Sequence, residues 1–242
     1  MTWSIIVREA GADGRTKRFG IAIATRFFAV GAMCPKIQAG AGAICSQALM
    51  NPTFPPRALR LLAEGVPAPD VLRILLESDA GAHMRQVHLI DDAGRIAQHT
   101  GSGPKAWAGH LHADNVSVAG NILANERVAG DTLATWLARS ELGLEQRLLA
   151  AMDAGEAAGG DSRGKESAAM LIWADQEWPE LDLRVDNHPD PLRELRRLVH
   201  ESTRRFTTFR RFLATRQDPA GCFDRPVLDR KVAEAEAAFR EP

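Results

Sequence analysis

A threonine stands at the second position, directly ahead of an alternating apolar run, Met1-Thr2-Trp3-Ser4-Ile5-Ile6-Val7. Freed by loss of Met1, such a threonine carries a hydroxyl nucleophile and, on the same residue, an α-amine that serves as its base. That amine titrates near ~8, within reach of neutral pH. Thr2 is therefore the candidate nucleophile. The plainer alternative, a small residue opening a strand that merely pairs in its sheet, stays open at this level.

The densest polar cluster is Ala158-Gly159-Gly160-Asp161-Ser162-Arg163-Gly164, which leads through Lys165 and Glu166 into an apolar strand at Ser167. Its glycines allow a left-handed turn, and Asp161 with Arg163 can hold that turn by a charged hydrogen bond. The functional reading makes Asp161 a catalytic group orienting the amine. Arg163 and Ser167 then line the pocket, Arg163 positioned to take a substrate carboxylate. Lys36 opens a strand soon after the first hairpin, where an ammonium near a hydroxyl favours proton loss. Gln47, Asn51 and Asn121 sit at strand ends, where amides supply donors to a carbonyl or equally to a turn. Thr25 and Arg184, both near strand ends, complete the candidate substrate-binding set.

Other chemistries find little support. His188 with Asp186 and a serine can be drawn as a triad, but no G-x-S-x-G elbow exists. Conventional serine hydrolysis through Ser46 or Ser167 is kept as a lesser reading. The histidines show no H-E-x-x-H spacing, and Gly101-Ser102-Gly103-Pro104 lacks the lysine and hydroxyl of a phosphate loop. No metal and no cofactor are expected.

These residues need a scaffold. Thr2 to Arg8 and Phe19 to Thr25 flank Gly11-Ala12-Asp13-Gly14, the pattern of a β-hairpin. With a period of 2, Trp3, Ile5 and Val7 point one way and Thr2, Ser4 and Ile6 the other, so both faces are to be covered. Lys36 to Ser46 reads as one strand of small residues. Two helices follow, from Pro55 to Gly65 and from Pro69 to Asp79, then strands at 86–91, 95–100 and 116–120. Two more helices cover Leu133 to Leu137 and Leu142 to Met152, and strands return at 167–174 and 181–185. Segregated runs of strands and helices predict an α+β fold, a four-layer α-β-β-α sandwich. Residues 1–200 form the main domain and 201–242 a helical C-terminal extension, rich in arginine with Phe206, Phe209 and Phe212 set to pack on the domain or on a second subunit.

The chain has 242 residues, 45% hydrophobic and 25% charged, with a net charge of -1. That charge creates no field for nucleic acid or an anionic membrane. Cys34, Cys45 and Cys222 lack metal or redox spacing, and no stretch approaches a membrane span. A cytoplasmic protein is expected, with no nucleic-acid or membrane partner, a small-molecule amide as its substrate and a homo-oligomeric assembly.

Taken in order, Thr2-Trp3-Ser4-Ile5-Ile6, Phe19-Gly20-Ile21-Ala22-Ile23-Ala24-Thr25, Ala39-Gly40-Ala41-Gly42-Ala43, Gln47 with Asn51-Pro52, Gly120-Asn121, the Gly159-Gly160-Asp161 cluster and Asp182-Leu183-Arg184-Val185-Asp186 resemble the DUF1028 family. That family is assigned to the N-terminal nucleophile (Ntn) hydrolases, and the resemblance covers about residues 2 to 200. It implies the Ntn-type α-β-β-α fold and amide hydrolysis by a mature N-terminal Thr2. Lys36 loosely matches the activating lysine of proteasome-like Ntn enzymes. The expected activity is amidohydrolysis of a small amide or peptide-like substrate. The alternative is a non-catalytic module on the same fold that binds a small acidic ligand through Arg163 and Arg184.

Overall fold

In the computed structural model, residues 2–104 and 107–240 are described. Strands β1 (Thr2–Ala10) and β2 (Thr16–Thr25) form the first hairpin, followed by the one-turn helix α1 (Val30–Met33). Next come β3 (Pro35–Gln38), β4 (Gly42–Ala48), α2 (Phe54–Ala63) and α3 (Ala68–Glu77). Strands β5 (Arg85–Asp91), β6 (Ile96–Thr100), β7 (Trp107–Ala113) and β8 (Val116–Leu123) lead into α4 (Arg127–Ala138) and α5 (Leu144–Ala157). After them lie β9 (Ser167–Trp173), β10 (Leu181–Val185), α6 (Pro191–Ser202), α7 (Phe206–Phe209) and α8 (Arg225–Ala238).

The strands make two antiparallel sheets: six strands in the order β10-β9-β2-β1-β8-β7 and four in the order β3-β4-β5-β6. The parity of β1 decides what each face meets. Trp3, Ile5 and Val7 join a core with Val128 of α4, Leu148 and Met152 of α5 and Leu195 of α6. Ile6, Ile21 and Ile23 instead share a core with Ile37, Ala43, Cys45 and Ile90 of the second sheet. The other face of that sheet, Ile44, Val87 and Leu89, packs on Phe54, Ala58 and Leu62 of α2 and Leu75 of α3. Each fully buried large apolar side chain contributes roughly 1.5–3 kcal/mol, so both faces of β1 are strongly specified.

One local reading is corrected and two features are added. The single strand expected over residues 36–46 is a hairpin: Gly40 takes φ +69°, and the Ala41 N–H closes the turn on the Gln38 carbonyl at 3.2 Å. Small residues that read as a close-packed strand are there because the chain reverses, and only glycine takes that φ without strain. Strand β7 carries no apolar alternation, with Leu111 40% exposed at the sheet edge, and its pairing to β8 is a tertiary fact. The tail, expected to be helical, forms the separate helices α7 and α8. Leu192, Leu195 and Val199 of α6 enter the core and α8 buries Leu228 and Val232, while Phe206 and Phe209 remain exposed. Among the described residues, no helix is long and apolar enough to cross a membrane.

Candidate active site

Strand β1 lies between β2 and β8, and its first residue faces a polar group on either side. Thr2 stands opposite Thr25 on β2 and opposite Asn121 on β8, and Thr25 in turn stands opposite Ser167 on β9. Directly opposed residues share a face of the sheet, here the face turned to the second sheet. The Thr2 hydroxyl donates to Thr25 Oγ1 at 3.2 Å. Thr2 is 6% exposed and opens into a cavity of about 320 Å³, at the small end of the range for ligand pockets. Thr25, Gln47 and Arg163 contribute the other polar side chains; Phe27, Phe28, Val30, Met33, Leu49 and Met50 supply the apolar wall.

The wall segment after β2 is fixed by buried groups. Ser167 Oγ accepts the Val30 N–H at 3.1 Å and donates to the Phe27 carbonyl at 2.5 Å, and the Ala29 N–H reaches the Asp186 carbonyl. Gly31 lets α1 lie directly on β9, since a Cβ there would come 2.6 Å from Ala169 Cβ. Asp161 binds the same segment from the other side: its carboxylate accepts the N–H groups of Arg26 at 3.1 Å and Arg163 at 2.8 Å. Left-handed backbone gathers here too. Ala29 (φ 54°) and Ala48 (φ 65°) line the cavity, and Ile122 (φ 54°) directly follows Asn121. A β-branched residue rarely takes this conformation, and such strain collects where function needs it.

Behind Thr2, between the sheets, runs a chain of buried polar side chains whose protons can all be assigned. Ser4 Oγ donates to Gln47 Oε1 at 2.8 Å, so its contact with His88 Nε2, also 2.8 Å, needs the ring to donate. His88 Nδ1 then accepts from Ser117, whose Oγ lies 2.8 Å away and itself accepts from Gln98 Nε2 at 2.9 Å. Burial pushes the His88 imidazole down to about 3, consistent with this neutral tautomer. At the other end, Gln47 Nε2 at 2.7 Å and Asn121 Nδ2 at 2.9 Å both donate to Gln86 Oε1. Gln86 Nε2 reaches Thr100 Oγ1 and the carbonyls of Gly109 and Gly120. Asn121 Oδ1 is buried and has no hydrogen-bond partner among the described residues.

The residues singled out in the sequence therefore divide. Thr2, Thr25, Gln47 and Arg163 share the cavity, with Asn121, Asp161 and Ser167 immediately behind its walls. Gln47 has both amide hydrogens engaged, on Gln86 and on the Ala119 carbonyl at 3.3 Å, so it is a scaffold amide rather than a free oxyanion donor. Lys36 is not at the cavity. Ile37 beside it enters the inter-sheet core, so strand alternation sends Lys36 to the opposite face, where its Nζ bonds the Ala32 carbonyl. Asn51 is a turn residue: its Oδ1 accepts from Thr53, and its Nδ2 donates to Asp79. Arg184 is engaged by Asp186 at 2.8 Å and does not line the cavity. The serine alternative fares poorly, since Ser46 is fully buried and bonded to the Asn51 backbone, and His188 Nδ1 accepts the Asp190 N–H within its own turn. Sequence reading passed over Ser4, Gln86, His88 and Ser117. The period-2 polar positions Ser4, Gln86 and His88, set among apolar residues facing a second sheet, were the available signal.

Comparison with known proteins gives a consistent frame. Protein SPO2555 from Silicibacter pomeroyi, a DUF1028 protein, is 29% identical with a TM-score of 0.83, covering 92% of this chain and 96% of its own. Anbu (ancestral beta-subunit) from Yersinia bercovieri is 14% identical with a TM-score of 0.39, covering 83% and 94%, which is too distant to bear on this chain. No curated protein matches the sequence significantly. The sequence profile described as "Family of unknown function (DUF1028)" matches residues 2–195, and the chain accordingly belongs to the DUF1028 family.

Proposed function

We propose that this protein is an N-terminal-nucleophile amidohydrolase acting on a small amide through Thr2, on a four-layer α-β-β-α sandwich of the Ntn type. The observation that carries the reading is the position of Thr2: first residue of an inner strand, hydroxyl on the cavity floor, with its cross-strand neighbours Thr25 and Asn121 on the same face. Three separate cores, between α4–α6 and the larger sheet, between the two sheets, and between the smaller sheet and α2–α3, are what such a sandwich requires.

Met1 lies outside the described residues, and its removal is the maturation step of this mechanism. The freed Thr2 amine accepts the hydroxyl proton as Oγ1 attacks the substrate carbonyl carbon. The same proton passes to the leaving nitrogen, the C–N bond breaks, and an ester links the acyl group to Thr2. Water then attacks the ester with the amine again as base, releasing the acid and restoring the hydroxyl. Asn121 supplies a reason for the amine to stay in place: its buried Oδ1, on the residue directly opposite Thr2, is an acceptor with no donor among the described residues. Asp161 and Ser167 position the wall carrying Phe27 and Val30, and Arg163 stands at the rim.

The test is intact mass and N-terminal sequencing of untagged protein, followed by an amide screen of the wild type and Thr2→Ala. Protein that begins at Thr2 and hydrolyses an amide that Thr2→Ala does not supports the mechanism. Hydrolysis that persists in Thr2→Ala assigns the chemistry elsewhere.

A further inference from the structure

The Thr2 cavity has a strongly uneven lining, and the imbalance describes a substrate. Four large apolar side chains at its wall stay open to solvent: Phe27 at 73%, Phe28 at 60%, Leu49 at 58% and Met33 at 51%. They come from two separate segments, the turn after β2 with α1 and the loop after β4, and meet at one opening. A cluster of exposed large apolar groups around a concave site marks a ligand surface.

Among the described side chains that line the cavity, Arg163 is the cationic one. Arg163 lines the same cavity with half of its side chain exposed, and its contact with Asp161 is long, at 3.6 Å. The Asp161 carboxylate is already engaged by two backbone N–H groups, so it is not reserved for the guanidinium. A planar guanidinium at the rim of an apolar pocket suits a carboxylate, which it can hold through two parallel hydrogen bonds.

We infer that the substrate class is an N-acyl amino acid: an apolar acyl chain against Phe27, Phe28, Met33 and Leu49, the amide carbonyl above Thr2, and the carboxylate of the amine half on Arg163. This rests on the reading of Thr2 as nucleophile for its chemistry, but not for its binding. Hydrolysis consumes one water and yields the apolar carboxylic acid and the free amino acid. A polar acyl group would leave the wall unused, and a neutral amine half would leave Arg163 without its partner.

Binding and turnover are measured separately. The full-length Thr2→Ala protein is titrated calorimetrically with N-hexanoylglycine, N-acetylglycine and hexanamide. N-hexanoylglycine is expected to bind at least tenfold more tightly than either of the others. Leu49→Ser should remove the advantage over N-acetylglycine and Arg163→Gln the advantage over hexanamide, each leaving the other intact. Both residues are exposed, so neither variant is expected to compromise folding. Equal binding of the three compounds, or none, overturns the inference, as does burial of the apolar rim in a dimer that excludes N-hexanoylglycine. Wild-type protein beginning at Thr2 is then assayed for glycine release. Tight binding without release keeps the substrate class and defeats the nucleophile. Release from N-acetylglycine as fast as from N-hexanoylglycine, without a binding preference, keeps the nucleophile and defeats the class.

Discussion

Thr2 Oγ1 donates its hydrogen to Thr25 Oγ1 across 3.2 Å, the two residues standing directly opposite on β1 and β2. The hydroxyl assigned as nucleophile is thus held by a neighbour that cannot take its proton. Thr25 fixes the direction of the hydroxyl, and the base must come from elsewhere, which the α-amine of a mature Thr2 provides.

Replacing Thr25 by valine keeps the β-branched shape and removes the acceptor. Turnover should fall about tenfold in kcat with KM nearly unchanged, because the loss is of orientation in the reacting state rather than of substrate contacts. Steady-state kinetics on an amide found by the screen checks this. A rise in KM alone would make Thr25 a binding residue.

Gln86 collects two buried amide donors, from Gln47 and Asn121, on one oxygen. Gln86→Leu conserves volume approximately but leaves those donors with their weaker contacts, at 3.3 Å and 3.5 Å, to carbonyls. A destabilisation of about 2–4 kcal/mol is expected in urea denaturation, more than the net worth of a single hydrogen bond, because buried donors lose their partner together.

His88 makes stability depend on pH. Its imidazole is held neutral down to about 3 against an ordinary 6.5, because burial penalises the charged ring. The unfolded chain therefore binds a proton below about pH 6.5 that the folded chain refuses. This group's contribution to stability is intact above that value and is lost as pH falls toward 3, by about 1.4 kcal/mol per pH unit. Urea midpoints between pH 7 and 4 should show that slope, and His88→Gln should lack it whatever its stability at pH 7.

Ser167 serves the cavity wall through two bonds, to Val30 N–H and the Phe27 carbonyl. In Ser167→Ala the buried Val30 N–H and the part-buried Phe27 carbonyl lose their partner, a cost of about 1–3 kcal/mol. Amide exchange at Val30 should quicken more than exchange in the middle of β1. Uniform acceleration through the sheet would mean that Ser167 supports the global fold instead.

Much of this molecule is written locally. The parity of Trp3, Ile5 and Val7 against Thr2, Ser4 and Ile6 separates the helix-facing core from the inter-sheet core, and the structure follows it residue by residue. Periodicity survives into the fold because a strand has two faces and apolar area decides which is buried. The same parity sent Lys36 away from Thr2, since Ile37 claims the interior. Order along the chain also carried the DUF1028 likeness that the profile match establishes.

What the sequence by itself determined is most of the elements, apart from β7 and the turn at Gly40, together with the faces of β1 and the placing of a threonine at its head. Tertiary structure alone decided which distant residues meet. Asn121 opposite Thr2, Gln86 between two amides and His88 between two serines depend on β8 pairing with β1 and on one sheet lying over the other. Register and sheet stacking are long-range choices, settled by the summed burial of many side chains rather than by any local pattern. A polar residue's partner could therefore be named only once that stacking was known.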